Sequence, residues 1–206
     1  MSVVTASLDH RLHRDEVHVW VRPSGWHVDG VLSRYIDGPI PLHRTKRGKP
    51  YVSAETDLRF GVSHSRGLTV VAVTRGRDVG VDVERIRPIP RLERVAERTL
   101  GSVVADDLMH VPAHSRAEAF LRRWTRLEAK TKLSGSGLPG TAFCRAPRSD
   151  RTSDHLPDPP STEGAVCFDL DLPSPWIGAL ALDTPAEDVV IRTKWERSAT
   201  ADRGIA

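Results

Sequence analysis

The segment Val79-Gly80-Val81-Asp82-Val83-Glu84 constrains this chain more than any other. Its strict alternation predicts a strand with Val79, Val81 and Val83 on one face and Asp82 and Glu84 on the other. Two carboxylates side by side on a strand otherwise built for burial repel each other, and a cation between them relieves the conflict. Gly80, on the acidic face, leaves room for another backbone or a ligand. The bland alternative is the solvated face of an edge strand.

The second constraint is a helix predicted from about Arg116 to Leu133, with Ser115 and Glu118 spaced as a capping box and Ser134-Gly135-Ser136-Gly137 as its stop. Phe120, Trp124, Glu128 and Lys132 recur every four residues and so share one stripe. Glu128 and Lys132 read either as a surface ion pair or as a metal ligand or base followed by a phosphate contact. Convergence of Asp82, Glu84 and Glu128 favours a hard divalent ion such as magnesium, which takes oxygen ligands.

Further strands are expected at Val17–Val21, Phe60–Ser63, Leu68–Thr74, Val166–Leu170, Trp176–Leu182 and Val189–Thr193, and short helices at Val31–Ile36, Arg91–Leu100 and Ala105–His110. The near-continuous apolar run Leu68–Thr74 predicts burial on both faces. The fold class is α+β. Residues 1–16 read as a flexible lead-in, 17–87 and 88–195 as two α+β subdomains divided at Pro88 and Pro90, 145–164 as a mobile Pro/Ser/Asp-rich loop and 196–206 as a disordered tail.

Hydrophobic residues make up 39% of the chain and charged residues 28%, as in a globular protein, and the net charge of +3 suits an anionic partner. Cys144 and Cys167, the only cysteines, have no metal-ligand spacing and are too few for a disulfide framework. Together with a charged N-terminus and no long apolar run, this makes a cytoplasmic protein the expectation, with no membrane partner. The cationic stretch Arg44-Thr45-Lys46-Arg47-Gly48-Lys49-Pro50 is a solvated loop or a phosphate contact, and His64, between Ser63 and Ser65, can donate to phosphate oxygens at a strand end. Neither a nucleophile elbow nor a Gly-rich phosphate loop of the Walker or dinucleotide type is present. Aromatic content of 5% and the lack of any recognised module disfavour a nucleic-acid binder built on Arg44–Lys49 and Arg122, Arg123, Arg126 and Lys130.

In order along the chain, Gly48-Lys49-Pro50, Ser63-His64-Ser65, Gly80-x-Asp82-x-Glu84 and Trp124-x-x-x-Glu128-Ala129-x-x-Lys132 resemble the 4'-phosphopantetheinyl transferase family, of the surfactin-synthetase-activating type. The resemblance covers roughly residues 17–140 and extends loosely to Trp176–Leu182. It implies a pseudo-twofold pair of α+β subdomains, with the N-terminal half shortened here, in a monomer. It also implies magnesium-dependent transfer of 4'-phosphopantetheine from coenzyme A to a serine of an apo acyl or peptidyl carrier protein. Asp82, Glu84 and Glu128 would then hold magnesium, with Glu128 as base. Lys132 would contact the transferred phosphate, and Lys49, Ser63, His64 and Arg44 would bind coenzyme A. The chain departs from the family pattern at Leu127, where lysine is usual, and at Gly61-Val62, where asparagine usually precedes the serine. These departures, with the short N-terminal half, favour as the alternative a non-catalytic member that binds a carrier protein or coenzyme A.

Overall fold

The computed structural model describes residues 11–23, 27–53, 56–135, 164–183 and 189–196. It is a mixed α+β structure in which two sheets pack face to face. The first sheet has the order β4-β5-β1-β9, from Leu58–Ser65 (β4), Leu68–Arg75 (β5), Glu16–Pro23 (β1) and Val190–Trp195 (β9). The second has the order β6-β8-β7, from Val79–Arg85 (β6), Trp176–Leu182 (β8) and Val166–Leu170 (β7). A small hairpin joins Leu42–Arg44 (β2) and Pro50–Val52 (β3), so the basic stretch is the turn between two short strands. The helices are Asp29–Leu32 (α1), Leu92–Leu100 (α2), Ser102–His110 (α3) and Arg116–Ser134 (α4). None among the described residues is long and apolar enough to cross a membrane.

Alternation explains the layers. Val17, Val19 and Val21 of β1 and Val70 and Ala72 of β5 meet Val79, Val81 and Val83 of β6 and Leu180 and Leu182 of β8 in one core between the sheets. Each fully buried valine or leucine contributes about 1.5–3 kcal/mol to the gross hydrophobic term. The opposite face of β5 packs Val71 and Val73 against Leu32 and Val52, so this strand is buried on both sides, as its apolar run predicts. The opposite face of β6 and β8 receives α4.

Sheet membership does not follow the midpoint at Pro88 and Pro90. The strand β6, which precedes those prolines, pairs antiparallel with β8, which lies beyond them. Conversely, β9 returns to pair in parallel with β1, from Glu16 against Val190 to Val21 against Trp195. Pairing between strands so distant leaves no mark in local composition. At the end of β9, Glu196 is ion-paired with both Arg22 and Arg34, the latter at 2.9 Å. The rest of the expected tail, the expected loop up to residue 163 and residues 1–10 of the lead-in lie outside the described residues.

The expected capping box is not made. Ser115 precedes α4 with helical dihedrals (φ −102°, ψ −8°) and no side-chain cap bond, whereas a capping hydroxyl works from the extended region. Glu118 instead accepts from Arg122 one turn on, at 2.7 Å.

Candidate active site

The site forms where α4 crosses the acidic face of β6, and small residues bring the two together. A β-carbon on Gly80 would lie 2.0 Å from the Ala129 carbonyl oxygen and 2.5 Å from the Leu133 amide nitrogen. Ala129 and Leu133 of α4 settle on Ala179 and Ala181 of β8. Gly80 therefore does admit another backbone, that of the helix. Earlier on α4, Phe120 and Trp124 stack at 6.2 Å between ring centres and pack with α2 and α3. These contacts fix the helix rotation, and its next two turns carry Glu128 and Lys132 over Asp82.

Asp82 is the buried centre of the cluster, 6% exposed. Its Oδ1 accepts from the Lys132 ammonium group at 2.6 Å and from the Ser63 hydroxyl at 2.9 Å. Lys132 also donates to Ser63 Oγ at 2.9 Å, and the Val83 amide donates to the same oxygen at 3.2 Å. The Ser63 hydroxyl thus uses its proton and both lone pairs. The other carboxylate oxygen, Asp82 Oδ2, is buried with no hydrogen-bond partner. Burial pushes the Asp82 carboxyl above its ordinary range, and Lys132 and Ser63 oppose that rise.

Ser65 repeats the Ser63 arrangement two residues on. Its hydroxyl donates to Glu84 Oε2 at 3.1 Å and accepts the Arg85 amide at 3.2 Å. Both β4 and β6 are edge strands of their sheets, so these two serines splice one sheet onto the other. Gly61 allows the approach, since a β-carbon there would already lie 3.2 Å from the Val79 carbonyl oxygen. The family resemblance places Ser63 at coenzyme A and implies no role for Ser65. The recurrence of hydroxyls and carboxylates at period two in both strands is the signal that could have found this pairing. Arg87, also unassigned, sits 3.7 Å from Glu84 Oε2.

Glu128 is half-buried and raised above the ordinary carboxyl range, first by burial and then by the negative charges of Asp82 and Glu84. Glu128 therefore feels both of the other carboxylates. Even so, among the described residues no three His, Cys, Asp or Glu side chains form a ready-made metal-ligand set; the Lys132 ammonium group is the cation on Asp82.

The remaining expected residues lie further out. His64 bonds Thr69 Oγ1 through Nδ1 at 2.8 Å, and burial, then Lys132, push its imidazole below its ordinary value. Lys49 donates to the Leu133 carbonyl at 2.6 Å and to Asp78 at 3.2 Å. It lies along Gly135 and so closes the C-terminal end of α4, where a cation meets the orphaned carbonyls favourably. Arg44 donates to the Gly48 carbonyl within the exposed hairpin turn, at 3.0 Å. Of the expected set, the structure gathers Asp82, Ser63 and Lys132 directly and faces Glu128 onto them; it commits Lys49 and Arg44 to their own surroundings. Leu127 is half-exposed beside Glu128.

Residues 78–178 match the 4'-phosphopantetheinyl transferase superfamily. The chain is similar to 4'-phosphopantetheinyl transferase HetI of Nostoc sp., with 35% identity over 114 residues, 52% of this chain and 48% of that protein. It is similar to the 4'-phosphopantetheinyl transferase of Bacillus subtilis, with 30% identity over 114 residues, 54% of this chain and 50% of that protein. It is also similar to 4'-phosphopantetheinyl transferase AcpT of Salmonella typhi, with 31% identity over 116 residues, 56% of this chain and 60% of that protein. The chain thus spans about half the length of the curated relatives it matches.

Proposed function

We propose that this chain, whose residues 78–178 match the 4'-phosphopantetheinyl transferase superfamily, transfers 4'-phosphopantetheine from coenzyme A to a serine hydroxyl of an apo acyl or peptidyl carrier protein, releasing adenosine 3',5'-bisphosphate. The observation that carries the reading is the meeting of β6 and α4, which turns Asp82, Glu128 and Lys132 toward one another. Phosphoryl transfer needs alignment and charge neutralisation more than covalent help, and a cluster of carboxylates beside a cation fits that demand.

The residues fit a magnesium ion in their chemistry. Asp82 Oδ2 is an unsatisfied buried oxygen, and the Glu128 carboxyl is raised by burial and then by its acidic neighbours. Asp82, Glu84 and Glu128 would hold the ion, which when bound neutralises the diphosphate of the donor. Ser63 and Ser65 orient two of those carboxylates. Glu128, whose carboxyl is raised first by burial and then by the charges of Asp82 and Glu84, accepts the proton of the carrier serine. Lys132 and His64 donate to phosphate oxygens, with Lys49 and Arg44 as outer contacts.

A groove of about 490 Å³ beyond Glu84 has an apolar floor including Ile86, Ile89 and Leu92 and a basic rim of Arg87 and Arg116. It suits an acidic carrier protein. Two sheets, each with helix on its outer face (the single short α1 on the first, α4 on the second), support reading the chain as a pseudo-twofold pair with a shortened first half. A monomer follows from that reading, and the cytoplasm remains the compartment expected from the two cysteines and the charged N-terminus.

The test is to mix the protein with coenzyme A, magnesium and a panel of apo carrier proteins and weigh the carriers. Addition of phosphopantetheine is expected; a folded sample that adds none to any carrier refutes the proposal. Commitment of Lys49 to the end of α4 favours the alternative of a non-catalytic binder of carrier protein or coenzyme A. Calorimetry separates the two, because the enzyme's coenzyme A binding depends on magnesium and a binding module's need not.

A further inference from the structure

We propose that Lys132 is the resident counter-cation of the carboxylate cluster, and that it yields its place to a divalent ion only when an anionic diphosphate arrives to receive the ammonium group. The inference rests on the metal-dependent reading above and adds to it an order of events.

The geometry that supports it is the unequal use of the Asp82 carboxylate. Oδ1 is bound by Lys132 at 2.6 Å and by Ser63 at 2.9 Å. Oδ2 is buried with no partner. Ser63 Oγ, beside Oδ1, also accepts from Lys132 at 2.9 Å and is itself held by the Val83 amide. The ammonium group is therefore seated in a built position, yet its side chain is 35% exposed and can leave toward solvent. A divalent ion entering at Oδ2 with Lys132 in place would meet a positive charge on the same carboxylate, within the range where two cations repel strongly in a poorly hydrated site. A buried carboxylate without any cation is equally disfavoured, so Lys132 cannot simply depart. Both conflicts vanish when a diphosphate binds, because its oxygens accept the ammonium group while the divalent ion takes over the carboxylates. Metal and diphosphate should then bind synergistically, and the metal alone poorly.

The test uses the full chain, Mn2+ as the probe ion and inorganic pyrophosphate as the anion, and reads protein-bound Mn2+ by ultrafiltration and electron paramagnetic resonance at fixed free Mn2+. In the parent protein, pyrophosphate is expected to tighten Mn2+ binding at least tenfold. In Lys132→Met, Mn2+ alone is expected to bind at least tenfold tighter than in the parent, and pyrophosphate to add little. Lys132→Gln, which keeps a donor for Oδ1 without the charge, carries the same expectation should the methionine variant fail to fold. Equal Mn2+ binding by the parent with and without pyrophosphate overturns the proposal. So does a folded Lys132 variant that binds Mn2+ alone no better than the parent, or no Mn2+ binding under any condition. Neither carrier protein nor turnover enters the measurement. Ion exchange without carrier modification therefore sinks the transfer reaction alone, and transfer without synergy sinks this inference alone.

Discussion

Gly80 and Ala129 touch backbone to backbone: a β-carbon on the glycine would stand 2.0 Å from the alanine's carbonyl oxygen. The neighbour is main chain of a helix and cannot swing away as a side chain can. Gly80→Ala is therefore expected to lift α4 from β6, carrying Glu128 and Lys132 off Asp82. The overpacking cost is about 1–3 kcal/mol or more. Urea unfolding measures the loss, and transfer activity should fall with it.

The splice between the sheets is expected to be sensitive at Ser65. Ser65→Ala removes the donor to Glu84 and leaves the Arg85 amide without its acceptor. Loss of such a partner costs about 1–3 kcal/mol. Ser65→Thr keeps the hydroxyl and should recover most of it. Chemical denaturation of the two variants side by side provides the check.

Glu128→Gln should separate stability from activity. The carboxyl is raised by burial and by the charges of Asp82 and Glu84, so the fold gains by neutralising it. The variant is expected to melt at or above the parent's Tm while transfer falls at least about 100-fold, the scale of losing a general base. A variant with near-parental turnover would remove Glu128 from the chemistry. Asp82→Ala is expected to abolish transfer as well, and to cost stability by stripping Lys132 of its partner.

Lys49→Met tests which of two roles the residue serves. Its bonds to the Leu133 carbonyl and to Asp78 predict a destabilisation of about 1–3 kcal/mol, typical of losing charged hydrogen bonds. Thermal melts with and without coenzyme A check this: a structural role lowers Tm equally in both, and a phosphate contact shrinks the shift produced by coenzyme A.

The N-terminal sheet should weaken in mild acid because of His18. Its Nδ1 lies 2.8 Å from the Tyr35 hydroxyl, which also accepts from Trp20 Nε1 at 2.7 Å. The Tyr35 proton is thereby directed to His18, whose Nε2 faces Glu16 at 3.5 Å. Burial, the main cause, holds the imidazole below its ordinary 6.5; Glu16 opposes this, and Arg192 and His13 reinforce it. A base held neutral in the fold but free to charge when unfolded gives stability that is complete at neutral pH and is lost as pH falls below about 6.5. Tm measured between pH 7.5 and 5.5 should drop, and His18→Gln should flatten the slope, His64 contributing in the same direction.

Both elements that build the site were legible because each carries its own period. The alternation of β6 sorted the valines from Asp82 and Glu84, and the four-residue stripe of α4 put Glu128 and Lys132 on one line. The apolar run of β5 announced its two buried faces. What stayed hidden depends on partners distant in sequence. Nothing local tells that Ser63 and Ser65 face β6, that Lys49 reaches across to the end of α4, or that β9 lies beside β1. The capping box failed for a related reason: its spacing is present, but Arg122 competes for Glu118 and the backbone at Ser115 is already helical.

The parallel seating of β9 against β1 orders the chain's birth. Until β9 leaves the ribosome, β1 carries an open hydrogen-bonding edge, and the Glu16 carboxylate waits for Arg192, which reaches it at 2.7 Å. The sheet begun by β1 is thus completed only after the second sheet has been made, and a polypeptide halted just short of Val190 would carry every residue of the proposed site on a scaffold still lacking its closing stave.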